Sequence, residues 1–237
     1  MMMKVLLIIP AFNEEESLAK LLAELEQYRK RYDVILIDDA SIDKTSEIAH
    51  SYNVPVLHLA ANLGIGGAVQ TGFKYAVRNG YDAVVQIDGD GQHDPIWIER
   101  LIEPILRGEA DCVIGSRYTK NEPDRAYRTP ALRRIGMHFS TGLLYLATRV
   151  LITDTTSGLR ALNRSAFEYF SRDYPVDHPE AEALLMLLFH GFKLREIPIK
   201  MRGRQTGRSL FTIIPSVFYP FRVMVGFLEV LLRIKRK

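Results

Sequence analysis

The chain has 237 residues, of which 47% are hydrophobic and 25% charged, a composition typical of a globular α/β domain and not of a disordered or fibrous protein. Its 31 Lys and Arg residues stand against 28 Asp and Glu residues, and the resulting net charge of +3 argues against a nucleic-acid-binding protein. The single cysteine, Cys112, excludes an internal disulfide and a thiolate metal cluster, and its apolar surroundings predict a buried thiol.

The first apolar run, KVLLIIP at 4–10, predicts the first strand of the core. It leads directly into AFNEEES, whereas a signal peptide has a small-residue cleavage site after its apolar run. We therefore expect a cytosolic protein.

Strand-like runs and helical stretches alternate along the rest of the chain. Strands are predicted at 33–39, 54–59, 82–88, 110–116, 159–164 and 192–200, and helices at 14–31, 41–52, from Gly64 onward, and at 95–106, 131–150 and 179–190. This alternation predicts an α/β fold with a mostly parallel sheet and helices on both faces, and such sheets bind ligands at the carboxyl ends of their strands.

Polar side chains collect where these strands end. They follow the first, second, fourth and fifth strands: Asn13, Glu14, Asp38, Asp39, Asp88, Asp90, Ser116 and Arg117. A solvated loop explains any one of these positions, but four strand ends at one sheet edge favour a binding site.

The fourth strand ends in VVQIDGDGQHDP, which places Asp88 and Asp90 on either side of one glycine. Two carboxylates this close repel each other unless a cation lies between them. Oxygen ligands suit Mg²⁺ or Mn²⁺, and Gln92 offers a further oxygen. The alternative is a tight Asp-Gly turn. Asp94 precedes Pro95, a pattern that predicts a helix N-cap.

A second glycine-containing stretch, NLGIGGAVQTG, lies between the third strand and a helix. Its backbone N–H groups are suited to an anion, but the sequence matches neither the dinucleotide fingerprint nor the P-loop. A tight entry into the helix is an equally good interpretation.

Six blocks together resemble family-two glycosyltransferases of the GT-A fold, and within them the polyprenyl-phosphate sugar synthases of the dolichyl-phosphate mannose synthase type. The blocks are IIPAFNEEESL, VILIDDASIDKT, NLGIGGAVQTGF, VVQIDGDGQHDP, VIGSR and DTTSGLRALNR. The resemblance spans residues 5–210 and implies a Rossmann-like GT-A catalytic domain at 1–208.

The resemblance implies a nucleotide-sugar donor, a UDP- or GDP-sugar, and assigns residues to it. Nucleotide-sugar contacts carry over to Pro10, Ala11, Phe12, Glu14, Asp39, Asp88 and Gly89. Metal ligands carry over to Asp88, Asp90 and Gln92, for Mg²⁺ or Mn²⁺. A loop that covers the diphosphate in the family corresponds to RQTGRSL, with Arg204 and Arg208, and it has Leu210 where the family has lysine.

The acceptor in this branch is a polyprenyl phosphate, an anionic nucleophile that needs orientation more than deprotonation. The resemblance places Arg117 and one member of the Arg133–Arg134 pair at its phosphate, although a solvated helix face explains the pair as well. Asp154 corresponds to a family aspartate near the reaction centre, where it orients the acceptor or acts as a base. Alternatively, Arg160 pairs with Asp154 structurally. Asp90, Asp154 and Arg117 are thus the catalytic candidates.

The last segment, 209–237, is apolar but interrupted by Pro215, Pro220, Arg222 and Glu229, and it ends in four cations. This pattern predicts amphipathic helices at a membrane surface better than a spanning helix. A pair of core helices and a docking surface for a small membrane partner protein are the alternatives.

These observations predict a metal-dependent inverting glycosyltransferase that uses a polyprenyl phosphate, peripheral at the inner face of the cell membrane. One alternative is transfer to a glycan hydroxyl in cell-wall or surface polysaccharide synthesis. Another is a non-catalytic scaffold that binds nucleotide sugars. The sequence indicates no oligomeric state.

Overall fold

The structure is a computed structural model that describes residues 3–119, 131–175, 179–203 and 224–232. For residues 131–135 and for Pro179 it describes the backbone alone.

The described residues form seven strands and eight α-helices, and the strands follow one another along the chain as the sequence predicts, whereas the helix at 164–172 was not predicted. The strands are β1 (Val5–Ala11), β2 (Asp33–Asp38), β3 (Val56–His58), β4 (Ala83–Gln86), β5 (Cys112–Ser116), β6 (Arg160–Asn163) and β7 (Leu194–Pro198). The helices are α1 (Glu15–Leu25), α2 (Thr45–Ser51), α3 (Gly64–Arg78), α4 (Ile98–Leu106), α5 (Ala131–Thr148), α6 (Arg164–Arg172), α7 (Pro179–Phe189) and α8 (224–232).

All seven strands form one sheet in the order β3-β2-β1-β4-β6-β5-β7. The pairs β1–β2, β1–β4, β2–β3 and β5–β7 are parallel, whereas β6 is antiparallel to both β4 and β5. The predicted α/β fold with a mostly parallel sheet is therefore confirmed, with β6 as the exception. Because β6 runs antiparallel to its neighbours, the loop that precedes it ends at the same edge of the sheet where β4 and β5 end.

Side chains of β1 alternate between two cores, one on each face of the sheet. Leu6 and Ile8 pack with α3, α6 and α7 on one face, and Leu7 and Ile9 pack with α1 and α4 on the other. Cys112 is buried in the first of these cores, and burial raises the pKa of its thiol to about 12, so the thiol is inert.

Helix α3 lies close to the sheet. A methyl group on Gly72 would come within 2.5 Å of Ile8 Cγ2, so only glycine permits this approach. The helix begins at Gly64, which has φ 74°, and the carboxylate of Asp39 accepts from the N–H of Leu63, the residue just before it. These contacts favour the tight helix entry over an anion-binding loop as the role of the glycine-containing stretch.

Helix α8 is part of the predicted membrane-associating segment, most of which lies outside the described residues. Phe227 and Val230 are buried in the core that also contains residues of α5 and α7. Its opposite face leaves four large apolar side chains exposed: Met224, Val225, Leu228 and Leu232. Among the described helices, none has the length and apolar character needed to cross a bilayer.

Candidate active site

The loops after β1 and β2 interlock at one edge of the sheet. Asn13 N–H donates to Ser41 Oγ at 3.0 Å, and Asn13 Oδ1 accepts from Ile42 N–H at 2.9 Å. Glu14 N–H donates to Thr45 Oγ1 at 2.8 Å. Asn13 and Ala40 both adopt left-handed backbone conformations, with φ 54° and 61°. These bonds give the first two blocks of the sequence a fixed mutual position.

Asp39, which the resemblance places at the nucleotide, is buried and holds the start of α3. Its Oδ1 accepts from Leu63 N–H at 2.7 Å. Burial raises the pKa of Asp39 above its usual value, although the hydrogen bonds from the α3 backbone partly offset this effect. Asp38 faces Ser41 N–H and Ser46 Oγ instead. Asp39 thus has a structural role that the sequence did not reveal.

The predicted nucleotide block at the end of β1 contacts the predicted metal motif. Ser17 Oγ donates to Glu14 Oε2 at 2.8 Å and lies 2.9 Å from the carbonyl oxygen of Gly89. Gly89 N–H donates to the carbonyl of Pro10 at 3.2 Å. A methyl group on Gly89 would come 3.2 Å from that oxygen and from Ala11 Cβ. The residues predicted to bind the nucleotide and those predicted to bind the metal therefore lie side by side.

The carboxylate of Asp88 is held by two neighbours. Gln86 Nε2 donates to its Oδ1 at 3.3 Å, and His93 Nε2 lies 3.5 Å from its Oδ2. Burial opposes ionisation, but these contacts and the positive charge of Arg160 outweigh it and lower the pKa of Asp88. The result is a carboxylate that is ionised at neutral pH, as a metal ligand must be.

The donor set at this edge suits a hard divalent ion. Asp90 follows Asp88 across Gly89, and its Oδ1 accepts from Gln92 N–H at 3.0 Å. No group of three or more His, Cys, Asp and Glu side chains that could hold a metal occurs in the described ranges. Two carboxylates and the Gln92 amide leave coordination positions for phosphate and water oxygens, which is how proteins commonly bind Mg²⁺. The residues present therefore fit Mg²⁺ or Mn²⁺.

Asp94, as predicted, caps the helical turn at Pro95 by accepting from Ile96 N–H at 3.1 Å.

Arg117 and Asp154 form a buried ion pair. Arg117 Nε and Nη2 donate to Asp154 Oδ2 and Oδ1, both at 2.7 Å, and Arg117 N–H donates to Oδ2 at 3.0 Å. Arg117 is 2% exposed and Asp154 is 0% exposed. Burial alone would raise the pKa of Asp154, but the hydrogen bonds and charge of Arg117 outweigh it and lower the pKa. The two catalytic candidates are thus partners.

Arg160 binds backbone carbonyl groups and not Asp154, the partner that the sequence suggested as an alternative. Its Nε donates to the carbonyl of Ser157 at 2.9 Å, and its Nη2 donates to the carbonyl of Glu180 at 2.9 Å and lies 3.4 Å from that of Thr155. Arg160 therefore joins the loop before β6 to the start of α7.

Three residues that the sequence analysis did not select complete the site. Gly158 lies against the Asp88 carboxylate, His93 contacts that carboxylate, and Glu196 accepts backbone N–H groups from Thr153 and Asp154. The contacts of Gly158 and Glu196 join segments that are distant in sequence, so no local motif predicts them. His93, next to the metal motif, was the one with a visible signal.

The remaining candidates are less fully described. Phe12 is 37% exposed at the end of β1. Arg133 and Arg134 lie in the first turn of α5, where the backbone alone is described. Arg204 and Arg208 lie outside the described residues.

Comparison with known proteins identifies the family. The model of the family named "Glycosyl transferase family 2" matches residues 6–170. The chain belongs to glycosyltransferase family 2. The fold and the enzyme class expected from the six sequence blocks are therefore confirmed.

Named members of this family are similar to the chain over most of its length. An undecaprenyl-phosphate mannosyltransferase of Micrococcus luteus is 35% identical over 222 residues, with 87% of each chain covered. A UDP-N-acetylglucosamine–dolichyl-phosphate N-acetylglucosaminyltransferase of Methanococcus voltae is 32% identical over 214 residues, which cover 82% of this chain and 84% of the relative.

The fold of this glycosyltransferase is also found in a solved structure. Glucosyl-3-phosphoglycerate synthase from Mycobacterium tuberculosis, in complex with Mn²⁺ and uridine-diphosphate-glucose, superposes with a TM-score of 0.69 and 20% identity. The match covers 96% of this chain and 79% of the synthase. At this identity the likeness establishes the shared fold.

Proposed function

We propose that this glycosyltransferase moves a sugar from a nucleotide-sugar donor to a polyprenyl phosphate, with a divalent metal ion and with inversion at the anomeric carbon. Two relatives named for undecaprenyl-phosphate and dolichyl-phosphate transfer support the acceptor class. The Arg117–Asp154 ion pair is the structural observation that carries the proposal.

The ion pair makes Asp154 a poor general base. Taking a proton would break its bonds to Arg117, and the lowered pKa of Asp154 reflects that cost. A hydroxyl acceptor needs a base, whereas a phosphate monoester is already ionised near neutral pH, with a second pKa of about 6. The geometry therefore favours a phosphate acceptor over a glycan hydroxyl.

On the donor side, Asp88, Asp90 and Gln92 would hold Mg²⁺ or Mn²⁺. When bound, the ion supplies positive charge that stabilises the departing nucleoside diphosphate. A structural neighbour that binds Mn²⁺ and uridine-diphosphate-glucose supports this assignment. Glu14, fixed by Ser17 beside Gly89, and Phe12 at the end of β1 form the adjoining wall of the donor site.

On the acceptor side, Arg117 and the first turn of α5, which carries Arg133 and Arg134, orient the lipid phosphate. An oxygen of the acceptor phosphate forms a bond to the anomeric carbon, while the bond from that carbon to the nucleoside diphosphate breaks. The attack comes from the face opposite the departing group, so the configuration inverts. Because this displacement takes one step, it needs no covalent intermediate with the protein.

The acceptor chain resides in a membrane, and the outer face of α8 fits contact with one. Four exposed apolar side chains on that face would enter the lipid interface while Phe227 stays in the protein core. We place the enzyme as a peripheral protein at the inner face of the cell membrane.

The test is transfer by the purified chain, with Mn²⁺ and each of several UDP- and GDP-hexoses, to undecaprenyl phosphate, dolichyl phosphate and oligosaccharides. We expect a metal-dependent lipid-linked product that EDTA abolishes. Transfer to the oligosaccharides with none to the lipid phosphates would favour the glycan alternative. Tight donor binding without transfer or hydrolysis would favour the scaffold.

A further inference from the structure

Glu196, on edge strand β7, anchors the loop that leads into β6. Its Oε2 accepts from Thr153 N–H at 2.8 Å, and its Oε1 accepts from Asp154 N–H at 2.9 Å. The hydroxyl of Thr153 lies 3.0 Å and 3.1 Å from the same two oxygens. Hydrogen bonds to an ionised carboxylate are about twice as strong as neutral ones, so three donors on one carboxylate fix this backbone firmly.

The anchored residues are the ones that contact the end of β5. Thr153 Oγ1 lies 3.0 Å from Ser116 Oγ, and the next residue, Asp154, binds Arg117. Thr153 and Asp154, which are consecutive in the loop before β6, are therefore paired with two consecutive residues at the end of β5. Any shift of the Thr153–Asp154 backbone must move Arg117, because three hydrogen bonds join Arg117 to Asp154.

We propose that Glu196 is a positioning residue for the transfer reaction, which sets the orientation of Arg117 through the backbone of Thr153 and Asp154. The inference rests on the proposed function, in which Arg117 orients the acceptor phosphate. Groups that act on a reacting centre must be held within about 0.5 Å of their productive position. Burial of Arg117 makes it rigid, and Glu196 determines where that rigid unit lies.

The substitution Glu196→Gln tests the proposal because it keeps the side-chain size but removes the charge and one acceptor oxygen. We expect kcat for transfer to undecaprenyl phosphate to fall about tenfold or more, while KM for the nucleotide sugar stays unchanged. Arg195→Gln is the matched control, because Arg195 is the preceding residue of β7 and its exposed side chain pairs with Glu109. We expect that variant to match the wild type.

A second readout is independent of the acceptor. In the ¹⁵N-labelled protein, the amide proton signals of Thr153 and Asp154 should move upfield in Glu196→Gln, because a charge-assisted bond is lost. If the wild type transfers to no lipid phosphate, the proposed function fails while this amide shift still reports whether Glu196 holds the loop.

Three results would overturn the proposal: unchanged amide signals, an unchanged kcat, or a loss of nucleotide-sugar affinity as large as the loss of kcat. If Glu196→Gln fails to fold, Glu196→Asp decides, because its shorter side chain draws the carboxylate away from the N–H groups of both Thr153 and Asp154. A lower kcat with an unchanged KM for the donor would then support the positioning role, and an unchanged kcat would refute it.

Discussion

Gly158 lies directly against the carboxylate of Asp88, although 70 positions separate them in the chain. A methyl group placed on Gly158 would come within 2.7 Å of Asp88 Cγ and Oδ1, and closer still to Oδ2. The loop that contains Asp154 therefore also forms one wall of the proposed metal site. Through this contact the proposed donor side and the proposed acceptor side share one loop.

Gly158→Ala should weaken metal binding, because the new methyl group displaces a proposed ligand. We expect at least a tenfold loss of Mn²⁺ affinity in the presence of UDP or GDP, measured by electron paramagnetic resonance titration. Gly142→Ala is the control, since nothing lies within 4 Å of that added methyl group and alanine favours the helix. Unchanged Mn²⁺ binding by Gly158→Ala would show that Asp88 is not a ligand or that its carboxylate moves freely.

The ion pair of Arg117 and Asp154 should make the free energy of unfolding depend on pH. Replacing Asp154 with Asn leaves Arg117 buried without its counter-charge, and breaking such a pair costs about 3–5 kcal/mol. The pKa of Asp154 is lower in the folded protein than in the unfolded chain. Its contribution to the unfolding free energy is therefore complete above the unfolded pKa of about 3.9. That contribution is lost as the pH falls through the folded-state pKa.

Urea unfolding of wild type and Asp154→Asn at several pH values measures this contribution. We expect the large difference at pH 7 to narrow as the pH falls below about 4. Glu103→Gln is the control, because Glu103 forms an exposed ion pair with Arg107 and such pairs contribute about 0–1 kcal/mol. A difference between wild type and Asp154→Asn that stays constant down to pH 2 would contradict the assignment.

Ala40 has a left-handed backbone, with φ 61°, in the loop that interlocks with the end of β1. An L-residue with a Cβ pays roughly 1–2 kcal/mol for this conformation, whereas glycine loses roughly 0.5–1 kcal/mol of chain entropy on folding. Ala40→Gly should therefore raise the free energy of unfolding by roughly 0.5–1 kcal/mol, measured by urea denaturation.

The same substitution at Ala49 should have the opposite sign. Ala49 is buried within α2, where glycine is less favourable than alanine by about 1 kcal/mol. If Ala40→Gly destabilises the protein as Ala49→Gly does, the contacts of the Ala40 methyl group outweigh its backbone strain.

The sequence predicted the positions of the strands along the chain because each has a clear apolar run. The alternation of Leu6 and Ile8 with Leu7 and Ile9 places neighbouring side chains in different cores. It did not predict the direction of β6, because LRALNR has the same pattern whether the strand is parallel or antiparallel. The direction depends on contacts with β4 and β5, which lie far away in the chain.

The carboxylates at the end of β4 were likewise visible as a local motif, whereas the partners of the site residues were not. Asp154 and Arg117 are 37 positions apart, and Glu196 is 42 positions beyond Asp154. Asp39 was assigned to the nucleotide from the family resemblance, and nothing in the sequence indicated its additional contact with the start of α3. Its bond to Leu63 N–H depends on where α3 begins in space.

The two faces of α8 lead to the last prediction, in which neighbouring residues have opposite effects. Leu228 is 52% exposed and Phe227 is 2% exposed. Leu228→Gln should leave the unfolding free energy unchanged but reduce binding to vesicles of phosphatidylcholine with phosphatidylglycerol about tenfold. That loss corresponds to about 1.4 kcal/mol, within the transfer free energy of one leucine side chain. Phe227→Ala should instead destabilise the fold by about 3–5 kcal/mol, because it leaves a cavity against α5 and α7.

Co-flotation with the vesicles and urea unfolding of both variants separate the two effects. If the wild type does not float with these vesicles, or if Leu228→Gln floats as well as the wild type, the outer face of α8 is not a lipid contact. A small membrane partner protein would then be the occupant to test for that face.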